Sequence, residues 1–374
     1  MSQPLIYHLI DEFRVGGAQT HLVTMLADAT KRYPYRHRVG CLFEDGGIAE
    51  DLRSLGIEVD IFDSRSDFES RRYDRVLRRL VQTFRATKPS VAEAHLTWSR
   101  LLGLPAAALA GVPRRVGFEH GDIYLRSPSL RAANFVGQLA AQEVFVCSDA
   151  LKGWVRAVHG TAEKRLTVFH NCVDVKRFVP LAAEEQRAVF TLPETALRLV
   201  TVGTLGRGVN KRVDVSIRAT AAAVALGADV GLVVIGDGAQ RGELQALAAD
   251  LGVADRVDFL GMRSDVPTLI ASCDVFVHAA PFEPFGIVCI EAMACGLPVI
   301  VPDGGGIGEA VRQGETGFIY PALDHDTLAS FIVKFAADRQ SVGTLGQAAL
   351  EDVRARFTVE RYVDRLYERY GVAP

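Results

Sequence analysis

The stretch "PFEPFGIVCIEAMACGLPVI", residues 281–300, is mostly apolar yet holds two glutamates, Glu283 and Glu291, with seven residues between them. An ionised carboxylate in such surroundings is costly unless something pairs with it. Pro284 and Gly286 disfavour helix at Glu283, which puts the first glutamate in a loop. A helix is then expected from about Ile287 to Cys295, stopped by Gly296 and Pro298. Phe285, Gly286 and Ile287 would present their amides at that helix N-terminus, where orphan N–H groups and partial positive charge favour phosphate. Gly286 lets the backbone approach a ligand closely. Glu291, about one turn further in, can reach a pair of hydroxyls, and a carboxylate is a natural bidentate acceptor for a ribose diol. Glu283 would face the other side of the pyrophosphate. The stretch has the polarity of a site for a nucleoside-diphosphate sugar.

Such a site needs strands and helices to hold it. Short β-branched or aromatic runs alternate with helical patterns along the whole chain, the mark of parallel α/β sheets. Seven strands are expected in the first half, at "LIYHLI", "RHRVGCLF", "VDIF", "SVAEAHL", "RRVGFEH", "EVFVCS" and "LTVFH". The second half restarts at "LRLVTVG" and continues through "DVGLVVIG", "RVDFLG", "DVFVHAA", "PVIVP" and "TGFIY". The expected fold class is α/β, two doubly wound Rossmann-like domains facing across a cleft, with ligands at strand C-termini. Boundaries are expected at 1–178 for the first domain, 179–196 for a charged linker, 197–356 for the second domain and 357–374 for a final helix.

Composition narrows the class. A chain of 374 residues suits two domains, and 49% hydrophobic with 23% charged residues is a soluble globular balance. The longest apolar run, "LLGLPAAALAGV", is too short to span a bilayer. "MSQPLIYHLIDEF" has neither a basic n-region nor a cleavage site, and six cysteines without a CxxC pair read as reduced thiols. The expectation is a cytoplasmic protein. Net charge is −3 but uneven: residues 1–178 carry 25 Lys+Arg against 20 Asp+Glu, and residues 179–374 carry 17 against 25. The halves therefore suit different partners. Arg71, Arg72, Arg75, Arg78, Arg79 and Arg85 fall on one arc of an expected helix at 71–85, opposite Val76, Leu77, Leu80, Val81 and Phe84. That stripe is either a solvated face or a contact with an anionic acceptor or, peripherally, an anionic membrane.

The glutamate segment resembles the E-x7-E signature of the retaining GT-B glycosyltransferases, in particular glycosyltransferase family 4. The likeness runs from "VVIGDGAQRGELQALAADLGVADRVDFLG" through "VPDGGGIGEAV". It includes "HLIDEFRVGGAQTHL", "RRVGFEHGD", "NCVDVKRF" and "RFTVERYVDRLYERY", the last being the helix that in the family crosses back onto the first domain. This resemblance implies a metal-independent hexosyltransferase of glycan or glycoconjugate biosynthesis, without a cofactor. It would move a sugar from a nucleotide-diphosphate sugar to a sugar, lipid-linked or small-molecule acceptor, with no nucleic-acid partner. Retention is explained in the family by front-side attack, the leaving diphosphate taking the acceptor proton. Domain closure would complete the site and exclude water.

The resemblance also distributes roles. The donor set it implies is Gly16, Gly17, Lys211, Gly236, Arg263, Glu283, Phe285, Gly286, Ile287 and Glu291. Gly16 and Gly17 could equally be an ordinary βα turn, and for Arg263 only the backbone is implicated at the base. His120, Glu283 and Lys211 fall at the catalytic positions, His120 beside the transferred sugar and Lys211 at the departing diphosphate. His95 either lines the acceptor side with His120 or is a core histidine. The chain departs from the pattern at Gly203-Thr204-Leu205, where the family usually has Gly-Arg-Leu and a shorter loop. There Arg207 supplies the missing cation, Thr204 substitutes a hydroxyl, or Arg207 is a solvated loop charge. The one DxD, Asp324-His325-Asp326, reads as a helix N-cap rather than a metal site. Two other classes compete. "GDGAQRG" at Gly236 nearly matches a dinucleotide fingerprint, which suggests a nicotinamide-dependent oxidoreductase but leaves both glutamates without a role. A sugar-nucleotide-binding protein without transferase activity is the third reading.

Overall fold

The structure is a computed structural model that describes residues 3–14, 16–44, 46–121, 135, 137–182, 190–193, 196–206 and 211–371. The chain divides into two compact units, one of residues 1–171 with 359–374, the other of residues 172–358. The chain therefore passes between them at Asn171–Cys172, earlier than the expected 178. Much of the expected linker, 179–196, lies outside the described residues.

The first unit is built on seven strands: β1 (Leu5–Ile10), β2 (Arg36–Cys41), β3 (Glu58–Ile61), β4 (Val91–His95), β5 (Arg114–Glu119), β6 (Glu143–Val146) and β7 (Leu166–Val168). They form one sheet in the order β3-β2-β1-β4-β5-β6-β7, and every pairing is parallel. A parallel sheet is covered on both faces, so its central strands are buried throughout, as β1 and β4 are. Side chains alternate between the faces. Tyr7 and Leu9 point into a core completed by Val76, Leu80 and Phe84 of the helix Tyr73–Thr87. His8, Glu93 and His95 point to the other face.

That helix bears directly on the arginine stripe. Arg71 and Arg72 precede its first turn rather than riding on it. Arg79 turns inward, donating to Phe62 O, Ser64 Oγ and the Asp67 carboxylate, and Arg78 pairs with Asp74. The arc is thus less continuous and more neutralised than its spacing suggests.

The final helix, Val359–Arg369, belongs to the first unit. It packs on the helix Gly17–Arg32, with Arg32 and Tyr33 both reaching Asp364. Tyr33 stacks on Tyr367, and His21 meets Tyr362 edge-on.

The second unit has six strands: β8 (Leu197–Val202), β9 (Val230–Ile235), β10 (Val257–Gly261), β11 (Val275–Val277), β12 (Val299–Pro302) and β13 (Gly317–Tyr320). Their order is β10-β9-β8-β11-β12-β13, again all parallel. The order reverses between β8 and β11, the kind of switch point at which doubly wound sheets bind ligands beyond their strand C-termini. Leu197, Leu199, Ile217, Leu232, Val234 and Phe335 are among its buried core. All six cysteines are buried thiols. No helix among the described residues is long and apolar enough to cross a membrane.

Candidate active site

In the second unit the glutamate segment follows β11, at the switch point. Pro281 to Pro284 form a non-helical passage, and a helix runs Ile287–Ala294, ended by Cys295 and a left-handed Gly296. Gly286 caps its N-terminus at φ +79, and an added Cβ would sit 2.8 Å from the Ile307 side chain, so glycine is required there. The first bond across this turn runs from Cys289 N–H to Gly286 O. The amides of Gly286 and Ile287 precede it, at the positive end of the helix.

Glu283 is anchored by its backbone. Its N–H donates to Gly304 O at 3.1 Å, and its carbonyl accepts from Gly306 N–H at 2.7 Å. Side chains do not fit in this clamp. A Cβ at Gly304 would lie 2.0 Å from Pro281 O, and one at Gly305, at φ +80, would lie 2.3 Å from Glu283 O. The glycine run 304–306, given no role from the sequence, therefore fixes the loop that carries the first glutamate.

The two carboxyls sit in opposite electrostatic states. Oε2 of Glu283 accepts from Lys211 Nζ at 2.5 Å. His278 Nε2 lies 3.3 Å from the same oxygen but is not aligned for a hydrogen bond. Burial pushes the Glu283 carboxyl up, yet the His278 ring and the Lys211 charge outweigh it and bring it down to about 2. Glu291 has no hydrogen-bond or ion-pair partner among the described residues. Burial raises it to about 7, with the Arg177 charge only partly opposing. Lys211 and Glu283, assigned separate tasks from the sequence, are thus one ion pair. His278, also unassigned, is a buried imidazole beside it. A titratable residue closing a buried strand is the signal that could have drawn attention to it.

The remaining donor-side residues divide. The stem of Lys211 packs over Gly203, where an added Cβ would meet it at 3.1 Å. Lys211 also lines a cavity of about 360 Å³ with the exposed Thr204 and with Leu205, Arg212 and Gln240. Arg207 lies outside the described residues. Arg263 is exposed and bonded to Asp265 at 2.8 and 2.6 Å. Gly236 and Gly238 are needed because the loop after β8 passes over them: added Cβ atoms would lie 2.0 Å from Gly203 O and 2.4 Å from the Leu205 backbone. Chain packing thereby accounts for the apparent dinucleotide fingerprint. Asp324 caps the helix His325–Ala337, accepting from Asp326 N and Thr327 N.

In the first unit, Gly16 and Gly17 open the helix Gly17–Arg32, with Gly16 in an extended conformation open to any residue. His120 follows β5, and its Nε2 lies 3.3 Å from His95 Nδ1. His95 is buried, and its other nitrogen lies 3.3 Å from Glu93 Oε2. Both ring nitrogens of His95 are committed, which favours the core alternative and leaves neither for an acceptor hydroxyl.

Comparison with known proteins fits this arrangement. The family described as Glycosyltransferase Family 4 matches residues 15–177, and Glycosyl transferases group 1 matches residues 182–352. The chain belongs to this family of GT-B glycosyltransferases. An N-acetyl-alpha-D-glucosaminyl L-malate synthase of Bacillus anthracis is 28% identical over 54% of the chain and 52% of its own length. A D-inositol 3-phosphate glycosyltransferase of Stackebrandtia nassauensis is 34% identical over 56% and 49%. The aligned part is about half the length of these relatives. Among solved structures, Anabaena HepE in complex with UDP and glucose superposes with a TM-score of 0.83 at 23% identity, covering 99% of this chain and all of that one. The lipopolysaccharide outer core galactosyltransferase WaaB gives 0.75 at 19% identity, covering 97% and 98%. These two show the GT-B fold. Family membership leaves the nicotinamide reading without support.

Proposed function

We propose that this protein transfers a sugar from a nucleotide-diphosphate sugar to an acceptor hydroxyl, with retention and without a metal ion. The observation that carries the reading is Glu291, a half-buried carboxyl without a hydrogen-bond or ion-pair partner among the described residues and raised to about 7, one turn into a helix whose N-terminal amides suit phosphate. A ribose diol offers the two hydroxyl hydrogens that its carboxylate does not receive from any of the described residues. The diphosphate then lies against Gly286 and Ile287, with Lys211 as the fixed cation that steadies it as it departs. Glu283 accepts from sugar hydroxyls through the oxygen that Lys211 does not hold. His120 of the first unit contacts a hydroxyl of the transferred sugar or of the acceptor. The leaving diphosphate takes the acceptor proton, so no protein nucleophile is required. HepE was solved with UDP and glucose, which makes a uridine donor the first to try.

Calorimetry with UDP-, GDP- and ADP-sugars, and with NAD(H), tests this reading. A nucleotide sugar does not itself titrate near neutrality, whereas Glu291 does. Hydroxyl donors favour the ionised carboxyl, so affinity should rise by up to about tenfold between pH 6 and pH 8. In Glu291→Gln that dependence should vanish and affinity should fall by about ten- to hundredfold, from roughly 1.5–3 kcal/mol of charged hydrogen bonding. Binding of NAD(H) alone, or normal sugar-nucleotide binding by the variant, overturns the assignment.

A further inference from the structure

The first unit buries a row of polar groups across the centre of its sheet. Parallel pairing sets His8 of β1 directly beside Glu93 of β4. His8 Nδ1 lies 2.7 Å from Glu93 Oε2, and His95 Nε2 lies 3.3 Å from the same oxygen. Glu93 Oε1 accepts from the Tyr370 hydroxyl at 2.5 Å. Beyond His8, Nε2 meets His37 Nδ1 at 3.0 Å, and His37 Nε2 meets the Tyr367 hydroxyl at 3.0 Å. On the other side, His95 Nδ1 meets His120 Nε2 at 3.3 Å, the two rings stacked 5.6 Å apart. A hydrogen-bonded path thus runs from the final helix, through the sheet, to His120.

The direction of its hydrogen bonds follows from Glu93. Its carboxyl is fully buried; burial pushes it up, but His8 and His95 outweigh that and hold it well below the ordinary range. As a carboxylate it only accepts, so His95 must donate from Nε2. Burial keeps His95 and His120 below the usual imidazole range, so each carries one proton. His95 Nδ1 is then an acceptor, and His120 must donate to it from Nε2.

We propose that Glu93 is a positioning residue for His120: through His95 it fixes His120 as the Nε2–H tautomer, so that Nδ1, which has no hydrogen-bond partner among the described residues, accepts a hydrogen bond from a ligand. This rests on the reading of His120 as a substrate contact and narrows it. The group His120 takes is a hydroxyl offering its hydrogen. A phosphate, carboxylate or ring oxygen, which needs a donor, is refused. Tyr370 and the final helix complete the shell around Glu93, so the C-terminal residues help set the protonation of a residue at the far end of the path.

The test reads tautomers directly. Long-range proton–nitrogen spectra of the 15N-labelled, ligand-free protein should show His95 and His120 both protonated at Nε2 only. In Glu93→Gln the side-chain amide can present N–H to His95, and the Nδ1–H form of His120 should appear, with kcat falling more than donor affinity. If that variant fails to fold, the wild-type spectra alone decide. An Nδ1–H or doubly protonated His120 in the wild type overturns the proposal. So does stoichiometric metal in the purified protein, because His8, Glu93 and His95 offer ligand atoms within 4.8 Å of one another and a bound ion would replace these protons. Nε2–H tautomers together with full activity of His120→Ala would instead remove the substrate contact, and the positioning role with it, leaving the hydrogen-bonded path intact.

Discussion

Lys211 Nζ lies 2.5 Å from Oε2 of Glu283, while Glu291, the second glutamate of the same segment, has no such partner among the described residues. One carboxyl is stabilised as an anion by the protein, and the other is held at a cost. Stability given up at one position of a site is what a residue waiting on ligand hydroxyls requires.

The two glutamates should therefore answer pH in opposite senses. Glu291 has a folded-state value of about 7 against an ordinary 4.5, so the folded protein holds that proton more tightly, and the resulting stability is lost as pH rises from about 4.5 to about 7. Glu291→Gln should match the wild type near pH 4.5 and exceed it by about 1–3 kcal/mol at pH 8. Glu283 lies at about 2, so its contribution is present above 4.5 and lost as pH falls toward 2. Glu283→Gln should cost roughly 1–3 kcal/mol at pH 7, less as the medium is acidified. Urea unfolding at several pH values reads both, and slopes of the same sign would refute the contrast.

Glu283→Gln should act mainly on turnover. Charge develops at the anomeric carbon during transfer, so kcat should fall by about ten- to hundredfold with donor affinity little changed. Steady-state kinetics beside calorimetry separate the two. Normal turnover would make Glu283 a structural residue.

Gly305→Ala should disturb the site without touching any ligand. The new Cβ meets Glu283 O at 2.3 Å in a left-handed backbone, which should cost at least about 2 kcal/mol and displace the loop. Thermal unfolding and turnover should both drop. An unchanged variant would show that the clamp is not needed.

Turnover should persist in excess chelator. Lys211 and the helix N-terminus before Ile287 carry the diphosphate charge in the proposed mechanism, so activity in EDTA should stay near its starting value. Loss to background would require a metal.

Arg71, Arg72, Arg75 and Arg85 are exposed, whereas Arg79 is tied inward. A solvated face is the simpler reading of so interrupted a stripe. Membrane contact would appear as salt-sensitive co-sedimentation with anionic vesicles, each basic residue adding up to ~1 kcal/mol. Absence of binding at low salt would settle for the solvated face.

Local sequence determined the elements and the polarity of the donor segment. Each of the thirteen strands among the described residues overlaps a run expected from the sequence. Central strands such as β1 and β9 are buried along their whole length, because both faces of a parallel sheet are covered, whereas β2 and β3 toward the edge carry charged residues. Pro284, Gly286 and Gly296 bracket the helix that carries Glu291 because backbone freedom is a property of single residues. Only the tertiary structure decided the partners. Lys211 and Glu283 are 72 positions apart, and Glu93 and Tyr370 are 277 apart. Nothing in the local pattern at either end specifies the other. Glu93 in "SVAEAHL" announces a buried charge that needs compensation, but strand order and register choose His8, His95 and Tyr370 to supply it. Protonation follows the same rule: two glutamates in one short segment differ as they do because burial, Lys211 and His278 reach them unequally, and distances in space set that balance.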